Sequence, residues 1–156
     1  MKFKIEKHIL KKAEELSFIT IKHDSEFKVE GYTIPKEGLQ VPIKNEVLVK
    51  GIKENTAQDG INSMSIADAM IYIIGIDPQF RYNDEYKKFL KALEKNVKFD
   101  AKSYMGYMSR KYFEIGEVTD ALIYVKALIT LYPDDIQGLY NYAIVCQELA
   151  TEYQKD

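Results

Sequence analysis

The stretch FEIGEVTDALIYVKALITLYPDD, residues 113–135, decides how this chain reads. Ile115 and Gly116 close one helical pattern, because glycine takes the left-handed conformation that ends a helix without a Cβ clash. An apolar helix follows over 119–131, and Pro133 stops it, since proline can neither donate to a helix nor continue one. Directly afterwards GLYNYAIVCQELA opens a second apolar helix, spanning 136–153. A helix end, a tight turn, a helix and a proline stop form a hairpin unit. A further helix behind it predicts stacking of such units.

Outside that stretch the composition narrows the field. The chain has 156 residues, 46 % hydrophobic and 29 % charged, as expected of a globular domain with a real core. A formal charge of −2 gives no global attraction to nucleic acid or anionic membrane. The single cysteine, Cys146, excludes an intramolecular disulfide and a cysteine-built metal site, and it reads as an inert core thiol. The N-terminal segment MKFKIEKHILKKAEELSF has no apolar run of signal-peptide length, and AMIYIIGI is too short to cross a bilayer. The cytoplasm is the expected location.

Ile5, Ile9, Leu10, Ala13 and Leu16 recur at helical spacing and predict an amphipathic helix over 4–17. The period then changes. Residues 18–35, with short β-branched and aromatic runs around HDSE, predict a hairpin, and PKEGLQVP reads as loop. Residues 43–55 predict a helix burying Ile43, Val47, Leu48 and Ile52. The polar run TAQDGINS marks a boundary, which divides the chain into a small α/β module at 1–62 and a helical domain at 63–156. Ser65 with Asp68 resembles a capping box ahead of IADAMIYIIGID, a helix apolar nearly all round and therefore buried on several sides. Asn83 is the expected cap of the next helix, where Tyr86, Phe89, Leu90, Leu93 and Val97 make one stripe. Further helices are expected over 101–115, 119–131 and 136–153.

An internal period ties these helices together. Met105, Met108, Ser109 and Tyr112 are echoed 34 residues later by Leu139, Tyr142, Ala143 and Cys146. The same step backwards reaches Ile71, Ile74 and Gly75. Each set places two large residues one turn apart beside a small one that lets a second helix come close. With Ile115, Gly116, Val118, Ala121, Leu131 and Pro133 in register, the chain resembles the tetratricopeptide repeat family over about residues 65–156. The likeness is strongest over 102–135 and weakest over 65–97, where Pro78 falls at an aromatic position. Met105 and Met108 stand where the family has tryptophan and leucine. The resemblance implies a mainly α fold, a short array of helical hairpins preceded by the small α/β module.

It also implies a partner-binding scaffold in which the first helices of successive hairpins line a concave groove. The groove candidates are Arg110, Phe113, Tyr140, Ile144 and Gln147, with Ser103 and Gly106 alongside. Arg110 would pair with a carboxylate, and Phe113 and Tyr140 would serve as aromatic anchors. Gly106 stands where a carboxylate clamp would need lysine, so chaperone tails are not the expected ligand.

No catalytic constellation, metal set or cofactor loop stands out. His8 and His23 read as solvated, and the acidic pairs Asp84-Glu85 and Asp134-Asp135 read as helix-entry carboxylates. GIKENTAQDG lacks the lysine and hydroxyl spacing of a phosphate loop. The expected function is non-catalytic binding of a protein or peptide partner, with no membrane partner. The alternative is a nucleic-acid-binding regulator built on the basic N-terminal helix and hairpin. It is disfavoured because Glu6, Glu14, Glu15, Asp24, Glu26 and Glu30 interrupt the lysines. In the last helix Leu139, Tyr142, Ala143, Cys146, Leu149 and Tyr153 share a face, with Val145 and Ala150 expected on the outer side. Either a longer repeat protein or a second copy would cover the helix, and a homodimer through it is the favoured outcome.

Overall fold

A computed structural model describes residues 2–53 and 62–154, and the side chains of 2–4, 52 and 53 are not described. The chain is mainly helical, with a small antiparallel sheet near its N-terminus. The order is α1 (Lys2–Lys11), a 3-10 turn (Lys12–Glu15), β1 (Leu16–Ile21), β2 (Leu39–Lys44) and α2 (Asn45–Lys53). Then come α3 (Ser63–Ile76), α4 (Asn83–Asn96), α5 (Ala101–Glu114), α6 (Val118–Leu131) and α7 (Ile136–Gln154).

Within the N-terminal half the local pattern predicted the wrong partners. The helix expected over 4–17 stops at Lys11; Ile9 is buried, Leu10 is 58 % exposed, and Leu16 opens a strand. No hairpin spans 18–35. β1 pairs instead with β2, from Leu16 opposite Lys44 to Ile21 opposite Leu39, and 22–38 form the excursion between them. Inside that excursion the only strand-like feature is a bridge between Val29 and Tyr32 across Gly31, whose φ is 85°. The second half of the stretch expected as loop, 39–42, is thus strand. Pro42 fits because a two-stranded sheet is all edge, where a missing N–H costs little. Ile43, expected on a helix, is fully buried at the end of β2. The expected linker lies almost wholly outside the described residues. Buried residues on both sides of it, Val41 and Ile66 among them, belong to one apolar core.

Two helices make the centre. α3 and α6 are buried nearly all round, as continuous apolar sequence demands. α3 lies against β2 on one side and α6 on another, and α6 touches α3, α5 and α7. The approach of α3 to α6 is set by Gly75: a Cβ there would sit 2.1 Å from the Ile123 carbonyl oxygen. On the opposite flank, Ser109 Oγ of α5 donates to the Ala121 carbonyl at 2.8 Å, the close contact expected of that pair. The stretch 63–97 does not copy the α5–α6 hairpin. A helix apolar on every side needs more cover than the single stripe of α4 can give, so α3 packs mainly on α6 and β2. α4 instead holds the excursion and β2: Tyr32 packs edge-on to Phe89 and donates to Glu85, and Tyr86 Oη donates to the Gln40 carbonyl of β2.

Two caps differ from expectation. Asn62 caps α3, with its side chain accepting from the Ser65 amide and Ser65 Oγ accepting from Asn62 N–H. That frees Asp68 for another task. Asn83 is the first residue of α4 rather than its cap, and its side chain donates to the Asp77 carbonyl.

Candidate functional site

The surface with the expected groove residues is built by α5 and α7 across the flank of α6. α5 starts on Asp100, whose carboxylate accepts from the Ser103 amide and hydroxyl and is held below the ordinary carboxyl value by those bonds. It ends at Gly116, φ 83°, where the Gly116 and Glu117 amides donate to the Phe113 and Tyr112 carbonyls. α7 starts on Asp135, which accepts from the Gly138 amide at 2.8 Å and pairs with Lys102 of α5 at 2.9 Å. The Lys102 bond, then the Gly138 amide, keep the Asp135 carboxyl below its ordinary value. One carboxylate therefore both caps α7 and ties its start to α5.

Between the two helices lies a cleft of about 120 Å³ lined by Ser109, Arg110, Phe113, Glu114, Asn141, Ile144 and Val145. The structure thus brings together three of the five groove candidates, Arg110, Phe113 and Ile144. Tyr140, 62 % exposed, and Gln147 stand on α7 outside the cleft, and no ring contact joins Phe113 to Tyr140. Arg110 is exposed and, among the described residues, has no ion-pair partner. Val145, expected on the outer side, is buried, as is Leu149, whereas Leu139 and Ala143 are exposed. The reason lies in the phase of the helix. The line Gly138, Tyr142, Val145 and Leu149 packs on α6, and the stripe Leu139, Ala143, Cys146 and Ala150 begins about a quarter-turn further round.

Sequence reasoning missed a second polar centre. Lys44 enters from β2 and is buried against Asp68 of α3 at 3.0 Å, between the rings of Tyr72 and Tyr124. Asp68 also accepts from Tyr104 and Tyr124, each at 2.6 Å, and Lys44 donates to Tyr124 Oη at 2.6 Å. Beside it, buried Asp120 of α6 accepts from Tyr72 at 2.5 Å and pairs with Lys12 at 3.2 Å. Burial first, then the neighbouring carboxylates, push the Tyr72, Tyr104 and Tyr124 hydroxyls well above the ordinary phenol value, so each stays a donor. Burial alone would lower Lys12, but Asp120 and Glu15 outweigh it and hold the ammonium charged.

Above this cluster opens a trough of about 850 Å³ lined by His8, Lys12, Glu15, Glu46, Tyr112 and Asp120, among others. Tyr112 stacks on Tyr124, and burial followed by the surrounding carboxylates pushes its hydroxyl up to about 12. The cations and carboxylates at the floor satisfy one another. The arrangement does the work of a clamp, joining the N-terminal segment to α3, α5 and α6. Both histidines are exposed, and each also has a neighbour: His8 stacks on Tyr153, and His23 Nδ1 lies 2.5 Å from the Ile34 carbonyl.

Among the described residues no group of histidine, cysteine and carboxylate side chains is arranged to hold a metal ion, and no helix is long and apolar enough to cross a membrane. Comparison with protein-family models, curated proteins and solved structures finds no match to this chain. Its chemistry is read from its own surface.

Proposed function

We propose that the chain is a non-catalytic interaction module that binds a peptide or protein segment along the cleft between α5 and α7. One observation carries this reading. Phe113 of α5 and Ile144 of α7, the latter 38 % exposed, line one open cleft beside the exposed Arg110. Apolar side chains open to solvent beside an exposed cation mark a contact surface. The cleft adds direction. Phe113 and Ile144 offer apolar walls, and Arg110, with no ion-pair partner among the described residues, offers a charge-assisted fork for an acidic group. The segment it fits carries an apolar side chain next to a carboxylate. The clamp around Lys44 holds the N-terminal elements as a fixed brace behind the surface. The hairpin over 18–35 on which the nucleic-acid reading drew is replaced by the pairing of β1 with β2.

The test is selection of a random displayed peptide library on the full chain. Enriched sequences pairing an apolar residue with Asp or Glu, and binding at least about tenfold more weakly to Arg110→Ala, support the proposal. Peptides that bind Arg110→Ala and Phe113→Ala as well as wild type would overturn it.

A further inference from the structure

The face of α7 turned away from the cleft carries no charge; it is uncovered at Leu139 and Ala143 and half-buried at Cys146 and Ala150. The only charged side chains in this 19-residue helix are Glu148 and Glu152. Leu139, Ala143, Cys146 and Ala150 share one stripe, flanked by Ile136 at 82 % exposure; Leu139 is 45 % exposed, and Ala143 is exposed as well. At about 100° per residue this stripe lies roughly 160° round the helix from Gln137, Asn141, Ile144 and Glu148 on the cleft side. The two surfaces are therefore separate.

The rest of the fold shows what such a stripe receives. Gly75, Ser109 and Ala143 are small residues 34 positions apart. The first two each lie against the backbone of another helix: a Cβ on Gly75 would meet the Ile123 carbonyl, and Ser109 Oγ bonds the Ala121 carbonyl. At both, the small side chain permits a helix to cross closely among large apolar neighbours. Ala143 has the same surroundings, with Leu139 one turn before it and Cys146 and Ala150 after, but no helix on it. It is an open crossing point for a helix with an uncharged stripe and a small residue at its centre.

α7 itself meets that description. We infer that the occupant is the α7 of a second copy, crossing about a two-fold axis with Ala143 opposite Ala143. A stripe without a charge has nothing with which to select a charged partner, and it meets its own copy without desolvating or opposing like charges. The contact buries Leu139 and Ile136 of both copies and leaves the cleft with Arg110 and Phe113 open on each.

Sedimentation velocity of the full chain from about 1 to about 100 µM tests it. Wild type sediments as a dimer at the upper end, and both Leu139→Arg and Ala143→Arg sediment as monomers with unchanged helical circular dichroism. In a Cys146→Ser background, Ala143→Cys forms a covalent dimer on mild oxidation, because a residue on an isologous axis meets itself within disulfide reach. A wild-type monomer throughout, a dimer that survives Leu139→Arg, or no cross-link at position 143 each overturns the inference. Arg110→Ala leaves self-association unchanged and Leu139→Arg leaves peptide binding unchanged, so failure here is distinct from failure of the cleft.

Discussion

At the scale of single residues, the strongest commitments are the buried polar ones. Lys44 and Asp68 have side chains 9 % and 16 % exposed, so neither charge can fall back on water. Removing one partner strands the other. Asp68→Ala is expected to cost on the order of 3 kcal/mol, and Lys44→Met with Asp68→Leu to recover only part of it, since the apolar pair removes the buried charge but leaves the Tyr104 and Tyr124 hydroxyls without their acceptor. Thermal melts of both variants check this. The tyrosines set an alkaline limit. Burial, followed by the Glu94 bond, pushes Tyr132 up to about 12, and Tyr112 reaches about 12 as well, from an ordinary 10.0. A raised phenol contributes its full stability below its unfolded value and loses it as pH rises through the folded one. Melting temperature should therefore hold up to about pH 10 and fall between 10 and 12 with tyrosinate absorbance, whereas Tyr112→Phe should flatten part of the fall.

The elements divide by how local their causes are. Helices expected over 101–115, 119–131 and 136–153 are found at Ala101–Glu114, Val118–Leu131 and Ile136–Gln154. Their signals, Gly116, Pro133 and the apolar period, all act within one turn of the chain. Ala121→Leu should overpack the crossing with Ser109 and cost about 1–3 kcal/mol. Gly75→Ala should be worse, because its Cβ meets backbone that cannot rotate away. An unchanged melting temperature in either variant would contradict the packing around α6. The caps give an acid-side prediction. Asp100 and Asp135 are held below the ordinary carboxyl value of 3.8, so their contribution is complete above that value and fades as pH falls through and below it. Asp135→Asn should speed amide exchange in the first turn of α7 at neutral pH and lessen its acid sensitivity.

What the sequence hid was non-local. β1 finds β2 across the excursion at 22–38, and nothing within LSFITI names LQVPIK as its mate. A hairpin over 18–35 satisfied the same alternation at shorter range, but it would have left Val41 and Ile43 without the cover of α3. The clamp was equally invisible. Lys44 and Tyr124 are 80 positions apart, and a lysine at a strand end reads as solvated until its carboxylate is brought to it. Of the groove candidates implied by the repeat resemblance, Arg110, Phe113 and Ile144 line the cleft, whereas Tyr140 and Gln147 lie outside it. A phase error on α7 of about a quarter-turn is within what a mixed apolar pattern permits.

Over the whole molecule, the brace of N-terminal elements, the buried centre of α3 and α6, and the outer helices α5 and α7 form one core, with the cleft between α5 and α7 on one side of it. The central claim is that this side does the binding, and that the charged trough over the clamp does not. The direct measurement is an NMR titration of the isotope-labelled full chain with a peptide selected on it. The account predicts amide shift changes confined to residues 106–114 and 137–148. Changes concentrated instead on residues 8–15, 44–46 and 117–120 would contradict it, because they would move the partner to the trough.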